Sequence, residues 1–212
     1  MEIHLVRNKV AAENTYILES EAALLIIDPG SNKQEILDKI DSLAKPISAI
    51  LLTHAHYDHI MSLDAVRERY KQPPVYISDK EADWLASPLD NLSGLSRHDD
   101  MEDVIMRPAD FFFQYQTPYD LDGFQFQVLK TPGHSWGGVS FVFFEQEVAF
   151  SGDALFRETI GRTDLPTSDF DQLIDSIKHN LFTLPNHYRI FPGHGLDTTI
   201  GHEKNFNPFF KA

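Results

Sequence analysis

The chain has 212 residues, no cysteine and a formal charge of −14. The missing cysteines exclude a disulfide framework, a thiolate metal site and a cysteine nucleophile. The acidic balance argues against nucleic acid as a partner, because such binding needs a basic surface. The length suits one domain with a substantial core. No run of about 18 apolar residues predicts a membrane helix, and the N-terminal MEIHLVRNKV lacks the apolar core of a signal peptide. A cytoplasmic protein without a membrane partner is expected.

Taken in order, residues 3–7 and 14–19 read as strands. Ala22 to Ile27 is an apolar run stopped by Asp28-Pro29-Gly30, the pattern of a buried strand ending in a turn. Asp28 has two readings, a turn former or a support for a metal ligand. Residues 32–43 carry Ile36, Leu37, Ile40 and Leu43 at helical spacing, and Pro46 closes that element. Ser48 to Leu52 is a strand that delivers Thr53-His54-Ala55-His56-Tyr57-Asp58-His59.

Three imidazoles and a carboxylate within six residues are donors that Zn²⁺ and similar ions favour. In an extended segment His54 and His56 point the same way, and Asp58 and His59 follow where the chain turns into a helix. Two pairs of donors at one strand end suggest two metals side by side.

The helix is expected from Ile60 to Tyr70, with a core stripe of Leu63, Val66 and Tyr70. Val75 to Ile77 reads as a strand and residues 79–86 as a short helix. The irregular stretch 87–103 is read as a possible rim of the active site, with His98 as an isolated surface residue. Gly123 to Leu129 alternates apolar and polar, the mark of a half-buried strand, and runs into Thr131-Pro132-Gly133-His134-Ser135. Val139 to Phe144 and Val148 to Phe150 pair as strands, the second ending in Ser151-Gly152-Asp153. A helix is expected over 169–184, then a strand, Tyr188 to Phe191, ending in Pro192-Gly193-His194-Gly195. The aromatic tail, Asn205 to Phe210, is expected to pack on the core.

An apolar strand ends in His or Asp at four places: His54, His134, Asp153 and His194. Glycine precedes the last three, where close backbone approach and unusual turns are needed. Singly, each pattern is an ordinary turn or cap; together, in a chain without cysteine, they point to a metal site.

The order HAHYDH, GH, GD and PGHG resembles the metallo-β-lactamase superfamily. The resemblance covers nearly the whole chain and implies an α/β fold, a four-layer αβ/βα sandwich with metals at the sheet edge. It implies two divalent ions, Zn²⁺ first and Fe²⁺ or Mn²⁺ otherwise. His54, His56 and His134 would hold one, Asp58, His59 and His194 the other, and Asp153 would bridge them. Asp153, where the β-lactamases usually carry Cys, is similar to the glyoxalase II-like hydrolases, as are Gly161-Arg162-Thr163-Asp164 and Thr198-Thr199-Ile200-Gly201-His202-Glu203. The chain ends soon after Phe210, so one domain, 1–212, is expected, without the extra C-terminal helical region of full-length glyoxalase II.

The expected activity is hydrolysis of a small-molecule thioester, such as S-lactoylglutathione, by a metal-bridging hydroxide. Asp58 could orient that hydroxide or take its proton. Arg162 is read either as a substrate contact or as a surface salt bridge. Tyr57 either lines the pocket or, preferably, orients the ligand loop by packing. The alternative within the superfamily is a mononuclear iron persulfide dioxygenase, which shares the HxHxDH and GRTD-like segments. The dioxygenases it resembles usually end in a Pro-Ala-His-Asp type motif, whereas this chain has Pro192-Gly193-His194-Gly195, which favours the two-metal hydrolase.

Overall fold

In the computed structural model, residues 1–98 and 101–211 are described. Asp99 and Asp100, inside the stretch read as a possible rim, and the C-terminal Ala212 lie outside the described residues. The chain divides into two compact units, one of Met1–Phe113 with Leu121–Phe124, the other of Gln114–Asp120 with the chain from Gln125 on.

The first unit holds a six-stranded sheet in the order β1 (Glu2–Arg7), β2 (Asn14–Glu19), β3 (Leu24–Ile27), β4 (Ile47–Leu51), β5 (Val75–Ile77), β6 (Phe111–Phe112). The first three strands pair antiparallel and the last four parallel. β3 is buried along its whole length, which is why its sequence is a continuous apolar run rather than an alternating one. Helix α1 (Lys33–Leu43) carries the chain from β3 to β4 and buries Ile36 and Ile40. These join Ile26, Ile50, Leu63 and Val66 in one cluster; burying each such side chain contributes roughly 1.5–3 kcal/mol.

The helix expected over 60–70 is two pieces, α2 (Tyr57–Ile60) and α3 (Leu63–Arg69). The break is at Ser62, whose N–H donates to the Pro29 carbonyl at 2.9 Å and whose hydroxyl donates to the Gly30 carbonyl. Those bonds tie the helix start to the turn after β3 and stop one continuous helix from forming. Residues 82–86 form a 3₁₀ turn that buries Trp84 and Leu85. His98 is not an isolated surface residue: it is half-buried, and its ring lies 4.7 Å from that of Tyr57.

The second unit holds another six-stranded sheet, all but Leu121 and Phe124 of it, ordered β14 (Thr198–Thr199), β13 (Arg189–Pro192), β10 (Val148–Gly152), β9 (Val139–Phe143), β8 (Phe124–Lys130), β7 (Pro118–Leu121). β10 and β13 are parallel, joined through α4 (Phe170–His179). β8, β10 and β13 run in the same direction, because β9 is antiparallel to both β8 and β10. Leu173 and Ile177 of α4 pack with Val142, Ala149 and Ile190. α4 stops at His179, short of the expected residue 184, where Asn180 turns out to donate its amide to the Lys130 carbonyl at 2.8 Å.

Several elements were not expected: the short strands β6, β7 and β14, the two-residue strands β11 (Leu155–Phe156) and β12 (Thr159–Ile160), which pair with each other, and α5 (Ile200–Phe206), capped by Thr199. The tail packs only in part. Phe210 meets Phe182 with ring centroids 4.7 Å apart, but Phe206 and Phe209 are exposed. The anchor is instead Asn207, fully buried, which donates to Glu203 at 2.8 Å and to the Thr159 carbonyl at 3.0 Å.

Candidate metal centre

Each unit gathers its own donors at the carboxyl ends of same-direction strands, where open α/β sheets place their ligands. In the first unit β3 delivers Asp28 and β4 delivers Thr53 and His54. His54, His56, Asp58 and His59 are all buried. The His54 ring lies 4.6 Å from His56 and 4.1 Å from His59, and His59 Nε2 is 3.9 Å from an Asp58 oxygen.

The loop is held by side chains that reach its backbone. Asp28 accepts from the Thr53 N–H at 2.7 Å, from the Thr53 hydroxyl at 2.6 Å and from His59 Nδ1 at 3.0 Å. Asp28 thus bonds directly to His59, one of the candidate ligands. Its backbone also makes the turn, at φ 49°. Glu81, fully buried, accepts from the Ala55 N–H at 2.7 Å. The Tyr57 N–H donates to the Asn91 carbonyl at 2.9 Å, while the Tyr57 ring packs on the core cluster. Trp84 lies parallel to His56, ring centroids 6.2 Å apart. The roles of Glu81 and Trp84 have no local sequence signal, since both lie more than twenty residues beyond the loop.

In the second unit β10 delivers Asp153 and β13 delivers His194, while the loop after β8 carries His134. One Asp153 oxygen lies 3.4 Å from His134 Nε2 and 3.2 Å from His194 Nε2. Two donors on one zinc ion at tetrahedral angles stand about 3.4 Å apart, so this spacing suits ligands of shared cations. The His134 loop is fastened to α4: Ser176 donates to the Pro132 carbonyl at 2.7 Å, Ser168 to the His134 carbonyl at 2.6 Å, and the Asp169 N–H to the Gly133 carbonyl at 2.7 Å. Gly133, at φ 129°, has no room for a side chain, since a Cβ there would stand 2.3 Å from the Leu173 nitrogen.

The Gly161-Arg162-Thr163-Asp164 segment acts mainly through its backbone. A Cβ on Gly161 would lie 1.8 Å from the Asp153 carbonyl oxygen, so glycine permits that approach. The Arg162 carbonyl accepts from His134 Nδ1 at 2.9 Å. The Arg162 guanidinium pairs with Asp164 through two bonds, 2.7 and 2.8 Å. That pairing raises the arginine's pKa above its usual range.

The hydrogen bonds fix which imidazole nitrogen keeps its lone pair. The Thr53 hydroxyl donates to Asp28, so its oxygen accepts from His54 Nδ1 at 3.0 Å. His59 Nδ1 donates to Asp28, and His134 Nδ1 to a carbonyl. Each of the three therefore carries its proton on Nδ1 and presents Nε2 as a donor to a metal. With buried carboxylates and no cysteine, the set fits a divalent cation of the zinc, iron or manganese kind.

The model of the metallo-β-lactamase superfamily matches residues 9–194. This chain belongs to that superfamily. A probable metallo-hydrolase of Streptococcus pyogenes serotype M6 is 65% identical over 210 residues, 99% of this chain and 90% of that protein. The hydroxyacylglutathione hydrolase GloC of Haemophilus influenzae is 34% identical, covering 100% of this chain and 99% of that protein. Among solved structures, the BLEG-1 B3 metallo-β-lactamase superposes with a TM-score of 0.93 at 36% identity, over 100% of both chains. TTHA1623 in a di-iron-bound form gives a TM-score of 0.84 at 34% identity, over 97% of this chain and 99% of that one. The expected α/β fold is thus that of the metallo-β-lactamase structures, and the chain is a metal-dependent hydrolase of the family. No helix among the described residues is long and apolar enough to cross a membrane.

Proposed function

We propose that the two donor sets join in one domain as a binuclear centre, and that the chain hydrolyses a 2-hydroxyacyl thioester of the S-lactoylglutathione type in the cytoplasm. His54, His56 and His134 would hold one cation, Asp58, His59 and His194 the other, and Asp153 both. The reading is carried by Asp153, whose one oxygen stands 3.4 and 3.2 Å from two imidazole nitrogens. Zinc suits these donors; iron is kept open by the di-iron form of a structural relative. Two divalent cations, when bound, activate a water at neutral pH and polarise the acyl oxygen.

The chain's own residues do the rest. Asp58, 7% exposed, takes the proton of the attacking water as its oxygen bonds to the acyl carbon. The carbon–sulfur bond then breaks, and the thiol leaves with a proton. Arg162 keeps Nη1 for a substrate carboxylate while Asp164 holds its other two nitrogens. Tyr57, packed on His98, orients the loop and walls the acyl group. The thioester class is supported by the full-length relative named as a hydroxyacylglutathione hydrolase.

The test sets metal-loaded protein against S-lactoylglutathione, following thiol release, and against a chromogenic β-lactam. Thioester cleavage with an intact β-lactam is the expected result. Ring opening without thiol release would overturn the substrate class in favour of the activity named for the BLEG-1 structure. Oxygen uptake on glutathione persulfide with one iron per chain would replace the hydrolase by the dioxygenase.

A further inference from the structure

Glu13 stands just before β2 and is fully buried. No step of the proposed hydrolysis uses it. Its Oε2 accepts from the Asn8 amide at 2.5 Å. Its Oε1 lies 3.8 Å from His59 Nδ1, the nitrogen that donates to Asp28 at 3.0 Å. Two carboxylates therefore stand behind one imidazole, and all three side chains are buried.

Two other imidazoles bond to neutral groups. His54 donates to a threonine hydroxyl and His134 to a backbone carbonyl. Asp28 also divides its charge between His59 and two donors on Thr53. Glu13 adds a second negative charge on the side of His59 away from Nε2. A buried carboxylate is costly unless opposite charge is close, and a divalent cation on Nε2 supplies it. Negative charge behind a ligating imidazole in turn makes it a stronger donor. The fold reserves the space: a Cβ on Gly30 would stand 2.0 Å from Glu13 Oε2.

We propose that Glu13 is a positioning residue that acts through His59 and makes the cation position of Asp58 and His59 the tighter of the two. The inference rests on the ligand assignment proposed above. Its test titrates the metal-free protein with Zn²⁺ against a competing chelator, with no substrate present. Wild type should bind two ions in two separable steps.

Glu13→Gln keeps the shape and an oxygen acceptor for Asn8 but removes the charge. It should weaken the tighter step at least about tenfold, in the range known for groups behind a ligand, and leave the other unchanged. Gly30→Ala, which displaces the carboxylate without removing it, should show the same selective loss. It decides the matter if a thermal melt of the metal-free protein shows Glu13→Gln unfolded. Two steps unmoved, or both moved equally as a purely structural role would give, overturn the inference and leave the binuclear reading standing. One ion per wild-type chain overturns both.

Discussion

In the first unit the donor loop ends on carboxylates. Asp28 takes the Thr53 amide and the His59 imidazole, and Glu81 takes the Ala55 amide. In the second unit His134 donates to a neutral group, the Arg162 carbonyl, and the His194 and Phe156 rings stand 5.8 Å apart, nearly perpendicular. The His194 side chain keeps 21% exposure, against none for His59. Charged backing strengthens a donor by electrostatics. A backbone carbonyl supports a donor only while its own loop keeps its path, which in the second unit Gly133 and Gly161 secure. The first unit should respond to loss of donor or charge, the second to a side chain added at those glycines.

The largest effect is expected at His56. His56→Ala removes a buried donor from the first unit, so activity should fall more than about 100-fold, beyond the 10–100-fold typical of outer-shell changes. Elemental analysis should show less bound metal, and unchanged activity would refute the role. In the second unit, Gly161→Ala forces a methyl against the Asp153 carbonyl. A loss of about 1–3 kcal/mol is expected, as for overpacking elsewhere, together with reduced metal content; a denaturant melt and a metal assay check both. Arg162→Ala keeps the carbonyl that orients His134 and removes only the guanidinium. It should raise KM for a carboxylate-bearing thioester by about tenfold or more, the scale of one charged hydrogen bond, with metal content unchanged. Lost metal would show that the side chain serves structure instead.

The smallest effect lies away from both donor sets. Burial, and then the neighbouring Asp41, push the Tyr70 phenol up to about 12, above about 10 for a free tyrosine. The folded state thus holds that proton more tightly than the unfolded one. The contribution is full below about pH 10 and is lost as pH rises toward 12. Tyr70→Phe should flatten the fall in melting temperature over that alkaline window; an equally steep fall would assign it to other groups.

His54, His134, Asp153 and His194 were legible as candidate donors because each sits where an apolar strand stops, and strand ends are the parts of a sheet that sequence marks best. Asp28 was legible as a strand-end acid but not as the partner of His59, which lies 31 residues on. Glu13 and Glu81 carried no signal, because an isolated glutamate reads as surface until the fold buries it. β11 and β12, with two residues each, are too short to show a period. The break at Ser62 was hidden for another reason: apolar spacing continues through it, and only the contact with the Pro29–Gly30 turn reveals it. In the GRTD segment the sequence pointed to the arginine side chain, whereas the glycine and a main-chain carbonyl make the contacts to Asp153 and His134.

The proposed binuclear centre requires donors from both units to serve one pair of cations. Metal content per chain, measured by elemental analysis of protein grown in minimal medium and freed of loosely held ions, tests it most directly. The account predicts about two divalent ions per chain, as a two-metal hydrolase requires, falling when either His56 or His194 is replaced by alanine. One ion per chain, unchanged by loss of His194, would contradict it.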